Sequence, residues 1–147
     1  MLKDILIEIF ERDLGKLKQE VQLYPDEQSL WVISKDIKNS GGNLVLHITG
    51  NLKHYIGAVL GNSGYVRHRD LEFSEKNVPK STLLKYIDET LEIVRVVISS
   101  LTEEELVKIY PEHIFEKGMT TAFFIVHLTS HLNYHLGQIN YHRRLLA

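Results

Sequence analysis

Leu2, Ile5, Leu6, Ile9, Leu14, Leu17 and Val21 recur mostly three and four residues apart. That spacing keeps side chains on one face of an α-helix, so the pattern predicts a first amphipathic helix. It should end before Pro25, because proline lacks a donor and restricts the residue before it. Gln22 to Lys38 then forms a long connection, with Trp31 in its middle expected to plug one end of a core. Asn39-Ser40-Gly41-Gly42 reads as a turn leading into a helix start. The run after it, NLVLHITGNLKHYIGAVL, is apolar nearly all round, as a buried helix is. Yet Asn43, His47, Asn51 and His54 share one narrow face of that helix. Gly50 lies near this face and leaves room for another helix or a ligand to approach closely.

Gly61 to Pro79 is rich in turn residues and charge, and reads as a solvated loop or a flap over a pocket. Ser81 or Thr82 is positioned to cap a third helix carrying Leu83, Leu84, Ile87, Leu91, Val94 and Ile98. Thr102 and Glu105 fit a capping box for a short helix through about Ile109. Pro111 to Gly118 breaks the chain, and Thr120 can start a last helix that runs close to the C-terminus. No internal repeat or linker interrupts this series, so residues 1–147 are expected to form one domain. Four main helices and one short one predict an all-α, up-and-down four-helix bundle.

Composition narrows the function. Apolar residues make up 44% and charged residues 24% of the 147, which is ordinary for a globular domain. A net charge of −2 without a Lys/Arg cluster gives no reason to expect a nucleic-acid partner. His142-Arg143-Arg144 reads as a helix C-terminus with cations matched to the dipole. Lys3, Asp4, Glu8 and Glu11 interrupt the first apolar positions, which is incompatible with a signal-peptide core. No stretch is long and apolar enough to span a bilayer, so no membrane partner and a cytoplasmic location are expected. Cysteine is absent. Thiolate metal sites and cysteine nucleophiles are thereby excluded, and any metal must bind through nitrogen or oxygen.

The histidines are where the pattern departs from an ordinary bundle. His127, His131, His135 and His142, half of the eight in the chain, sit on the last helix. At roughly 100° per residue they fall within about 80° of one another, beside the stripe Leu128, Leu132, Leu136 and Ile139. Buried imidazole nitrogens without partners are costly, so a metal ion is one way to satisfy them; backbone or hydroxyl groups are another. Histidines four apart can share one ion, and both His127/His131 and His131/His135 qualify. Leu128 and Leu132 stand where H-E-x-x-H requires glutamate, which argues against a zinc protease. A catalytic site needs a third ligand, and His47 is the best placed of the remaining histidines.

His47 within G-N-L-V-L-H-I-T-G-N-L, the run Arg67-His68-Arg69-Asp70-Leu71-Glu72-Phe73, and His131-x-x-x-His135-x-Gly137-Gln138 together resemble the DinB superfamily, closest to its small YfiT-like members. The likeness covers nearly the whole chain in order. It implies a DinB-type four-helix bundle, commonly a homodimer, with a divalent metal held by His47, His131 and His135. It thereby selects His131/His135 over the alternative pair. Zn or Ni is the leading expectation for the ion, with Mn or Fe as alternatives, since an all-nitrogen site accepts several. Asn51, Gln138 and His127 are candidates to orient a ligand or a bound water, and His54 to line the pocket. His142, about two turns beyond His135, is placed outside the site. Arg67 or Arg69 is expected to pair with a substrate carboxylate or with a second subunit.

The resemblance implies a metal-dependent enzyme acting on a small molecule, of thiol S-transferase type using a low-molecular-weight thiol such as bacillithiol, or a hydrolase. Catalytic groups would be a water or thiol at the ion, since no Asp or Glu stands obviously beside the proposed ligands to serve as a base. A competing reading is a non-catalytic, metal-stabilised bundle that acts as a stress-response binding or scaffold protein. A fourth protein ligand from His127 or His54 would favour that one.

Overall fold

The computed structural model describes residues 1–115 and 117–146. Helix α1 spans Leu2–Leu23 and buries Leu6, Phe10, Leu14, Leu17 and Val21 along one face. It stops where Tyr24 turns extended ahead of Pro25, as the restriction on pre-proline residues requires. The long connection is partly ordered by a 3₁₀ turn, Gln28–Trp31, that buries Leu30 completely. Trp31 packs on Gly42, where any side chain would overlap its indole ring. That close approach is what the second glycine of the Gly41-Gly42 pair permits.

Helix α2, Gly41–Leu52, is capped by Ser40, whose hydroxyl accepts from Asn43 N at 3.2 Å. All twelve of its residues are buried, in keeping with a run that is apolar on nearly every side. The predicted helix does not continue in α form to Leu60. Lys53–Leu60 is wound as π-helix, ending with Gly61 N bonded to Ile56 O at 3.0 Å. The wider turns change the register of side chains around the axis. His54 pairs with Glu112 at 2.6 Å, so the four-residue polar face read from a uniform helix is not kept together.

The Gly61–Pro79 connection contains a short helix, α3 (Arg69–Ser74), that periodicity missed. Six residues are too few for a repeating apolar pattern to register. Helix α4 spans Lys80–Ser100 and buries Leu83, Ile87, Val94 and Ile98. Neither Ser81 nor Thr82 caps it: Pro79 is the cap residue, and Thr82 N and Leu83 N already bond its carbonyl. The Lys80 amide is satisfied instead by Glu27 Oε2 at 2.8 Å. Helix α5, Glu103–Val107, shows both halves of the capping box between Thr102 and Glu105. It ends short of Ile109, which forms an isolated bridge with Thr120. Helix α6, Thr121–Leu146, starts as Thr120 Oγ1 accepts from Phe123 N at 3.0 Å.

The six helices, four of them long, pack as an all-α bundle, and no strand forms among the described residues. Helix α1 lies against α4 and α6, and α2 lies against α4 and α6 in turn, around one continuous hydrophobic cluster. Among the described residues no helix is long and apolar enough to cross a membrane. The contact of α2 with α6 brings the two histidine-bearing faces together.

Candidate metal centre

His131 and His135 stand one turn apart on α6, at the margin of its buried face, while Leu128, Leu132, Leu136 and Ile139 hold that face in the core. His47 comes from the middle of α2 and is only 6% exposed. The three rings converge through their Nε2 atoms. His47 Nε2 is 3.1 Å from His131 Nε2, and His135 Nε2 is 3.2 Å from the same atom. One potential ligand atom from each lies within 4.8 Å of the others, so the cluster is able to hold a metal ion.

Donor chemistry supports that fit. A neutral imidazole carries one N–H and one lone pair. His135 Nδ1 donates to Gln138 Oε1 at 2.7 Å, and His47 Nδ1 donates to Glu72 Oε1 at 3.0 Å. Both rings therefore present bare Nε2 lone pairs to His131, which has at most one proton to offer and cannot satisfy both. Nitrogens about 2.0–2.1 Å from a tetrahedral ion lie about 3.3 Å apart, close to the two observed separations.

Electrostatics acts in the same direction. Burial, reinforced by the neighbouring His135, His47, His127 and Arg67, pushes the His131 pKa down to about 3. Burial also lowers His135, against the opposing pull of its bond to Gln138. Both are thus neutral near pH 7 and ready to act as ligands.

The other expected residues part company. Gln138 Oε1 accepts from His135 Nδ1 at 2.7 Å. Asn51 is buried one turn beyond His47, and its Oδ1 has no hydrogen-bond partner among the described residues. His127 stands between the rings of Phe115 and Phe124, with centroids 5.3 and 5.8 Å away. His142 is 4% exposed and bonded to Tyr24 and to Val32 O. The Arg67 side chain is turned inward and is 9% exposed. Its Nε and Nη2 bond both oxygens of Glu72, at 2.8 and 2.9 Å.

Glu72 is the residue that sequence reasoning missed. The expectation that no carboxylate stands beside the ligands is corrected: this one is 6% exposed and directly behind His47. Burial works to raise its pKa, but the hydrogen bonds from His47 and Arg67 and the guanidinium charge outweigh that and keep it below the usual range. Nothing in spacing connects it to a histidine 25 positions earlier; only its place in the Arg67–Phe73 run that carries the resemblance hinted at a role. Oε2 accepts from Arg67, and Oε1 accepts from both Arg67 and His47. On the α6 side, His135 and Gln138 form part of the wall of a groove of about 640 Å³, together with Leu44, Tyr134 and Tyr141.

Fold and site thus define an all-α bundle carrying a three-histidine cluster able to hold a metal ion. The chain belongs to the family described as "Protein of unknown function (DUF1572)", whose model matches residues 5–147. A solved structure described as "Crystal structure of the conserved protein of locus from Enterococcus faecalis" is similar, with a TM-score of 0.78 and 17% identity over 97% of this chain and 95% of that one. At that identity the likeness speaks for the fold alone. Among curated proteins none matches.

Proposed function

We propose that this protein is a divalent-metal-dependent enzyme of DinB, YfiT-like type, acting on a small molecule by thiol S-transfer or by hydrolysis. The observation that carries the reading is the convergence of His47, His131 and His135, with two of the three rings held by Nδ1 so that their Nε2 lone pairs face one point. Zn or Ni is the proposed ion, with Mn or Fe also compatible with nitrogen ligands. When bound, such an ion supplies positive charge that favours the deprotonated form of a thiol or water and leaves a position open beyond three protein ligands.

The chain's own residues have defined parts in this proposal. The histidines bind, Gln138 fixes the direction of His135, and the groove beside that ring admits a small molecule. No cysteine competes with an external low-molecular-weight thiol, the proposed co-substrate. The homodimer implied by the resemblance belongs to the same proposal.

A fourth protein ligand from His127 or His54 would favour the scaffold reading. His54 is paired with Glu112, and His127 is set between two phenylalanine rings. Neither belongs to the cluster, which supports the catalytic reading.

Metal analysis of untagged protein tests the proposal. Wild type should retain a stoichiometric divalent ion, and His131→Ala should lose it. Equal, near-zero metal in both after reconstitution would overturn the reading. A thiol and electrophile panel tests the reaction class: activity should vanish on chelation and in His47→Ala, and activity surviving both would refute the mechanism.

A further inference from the structure

We infer that Glu72 is the positioning residue of His47, and that through it the docking of the α3 segment on α2 is coupled to ion binding at the histidine cluster. The inference rests on the metal-site reading above and assigns a task to the Arg67–Phe73 segment.

Several contacts join residues 67–75 to α2, and they have different characters; one of them sets Arg67 Nη2 3.5 Å from His47 Nδ1. Asn43 Nδ2 donates to Glu72 O at 2.9 Å and to Glu75 O at 2.8 Å, which ties the backbone of α3 down. The Phe73 ring packs against the His47 ring, with centroids 4.8 Å apart. Glu72 Oε1 accepts from His47 Nδ1. Finally, α2 has a glycine, Gly50, at the place where the Glu72 carboxylate lies, and a methyl group there would overlap it. Glycine inside a helix costs about 1 kcal/mol relative to alanine, so its presence here needs a reason, and the carboxylate supplies one.

Anchoring a segment does not require burying a charge. Asn43 already satisfies the backbone, and a buried carboxylate pays a desolvation penalty that its ion pair offsets only with good geometry. The geometry with Arg67 is bidentate, which leaves Glu72 charge-neutralised and aimed. What the carboxylate adds is a fixed acceptor for one particular ring nitrogen. It selects the Nδ1–H tautomer of His47, fixes the ring plane and directs Nε2 at the cluster. Coupling is then reciprocal: whatever factor the docked segment contributes to ion affinity, the ion contributes to docking.

The experiment compares wild type, Glu72→Gln and Glu72→Ala by three readouts: Zn²⁺ affinity by competition with a chromophoric chelator, ¹⁵N imidazole spectra of metal-free protein, and amide exchange over residues 67–75. Glutamine keeps the shape and one acceptor oxygen, so it serves as the conservative variant. Zn²⁺ affinity should fall by about 10–100-fold in Glu72→Ala and by less in Glu72→Gln. In the metal-free spectra, His47 should show a bonded Nδ1–H in wild type and a tautomer mixture in Glu72→Ala. Zn²⁺ should slow exchange across 67–75 in wild type, and to a smaller degree in the variants. Unchanged affinity together with an unchanged His47 tautomer in Glu72→Ala would overturn the inference. Wild type and His131→Ala both failing to take up Zn²⁺ would instead overturn the metal-site reading, and the coupling with it, while the tautomer spectra still decide the positioning role.

Discussion

Gly50 on α2 and Glu72 on α3 occupy one space between them: the carboxylate lies where a side chain at Gly50 would be. Gly50→Ala therefore sets two effects against each other. Helix propensity favours alanine by about 1 kcal/mol, and overpacking a filled site costs about 1–3 kcal/mol. Because the obstacle is a carboxylate held by Arg67 and His47 rather than a free side-chain end, the overlap should win. Urea denaturation should show a net loss of about 1–2 kcal/mol, with Zn²⁺ affinity reduced as well. A gain in stability with full affinity would mean that Glu72 moves aside without consequence.

Removing one ligand should weaken the site more than removing the group that orients another. Gln138→Ala frees His135 Nδ1 but leaves all three Nε2 atoms in place. Zn²⁺ affinity should fall by about 10-fold, within the range for such supporting contacts, whereas His135→Ala should abolish stoichiometric binding. Chelator competition checks both, and equal losses in the two variants would contradict the assigned roles.

Tyr24 and His142 form a second polar contact near the C-terminal end of α6. His142 Nε2 donates to Val32 O at 2.8 Å, so its Nδ1 is the acceptor for the Tyr24 hydroxyl, 2.7 Å away. Tyr24→Phe leaves a buried acceptor unpaired and should cost about 1–3 kcal/mol by chemical denaturation. Bound metal per chain should not change. A parallel loss of metal would place His142 inside the site after all.

Glu20 links α1 to the end of α6, accepting from Arg143 Nε at 2.6 Å and Asn140 Nδ2 at 2.8 Å. Burial works to raise its pKa, but these bonds and the two arginine charges outweigh it and hold the value low. A carboxylate with a depressed folded-state pKa adds stability that is complete above its unfolded pKa and disappears as pH falls through the folded one. Glu20→Gln should thus be less stable than wild type at pH 7 by about 1–2 kcal/mol. The gap should close through the acidic range in which carboxylates titrate. A gap that stays constant down to strong acid would rule out the charge as its source.

The proposed homodimer has a direct check. Light scattering at micromolar concentration should give roughly twice the 17.0 kDa of one chain, and a monomer under those conditions would remove the dimer from the proposal.

Much of this protein was legible in its sequence because local rules decide it. Of the apolar positions read for α1, Leu6, Leu14, Leu17 and Val21 do form its buried face, whereas Leu2 and Ile5 are exposed and the buried Phe10 was not among them. Thr102 and Glu105 form their capping box within four residues, and Ser40 caps α2 through its hydroxyl over the same short range. The one-turn spacing of His131 and His135 follows from helix geometry alone. Tertiary packing decided the rest. The π turns after Leu52 and the capping of α4 at Pro79 depend on long-range fit, including a Lys80 amide met by Glu27. Whether His47 faces His131, and which histidines pair elsewhere, depends on how α2 lies against α6. Glu72 shows the limit most clearly. Its side chain has no periodic neighbours to mark it, and its meaning arises only when a six-residue helix folds back onto a glycine 22 positions earlier in the chain.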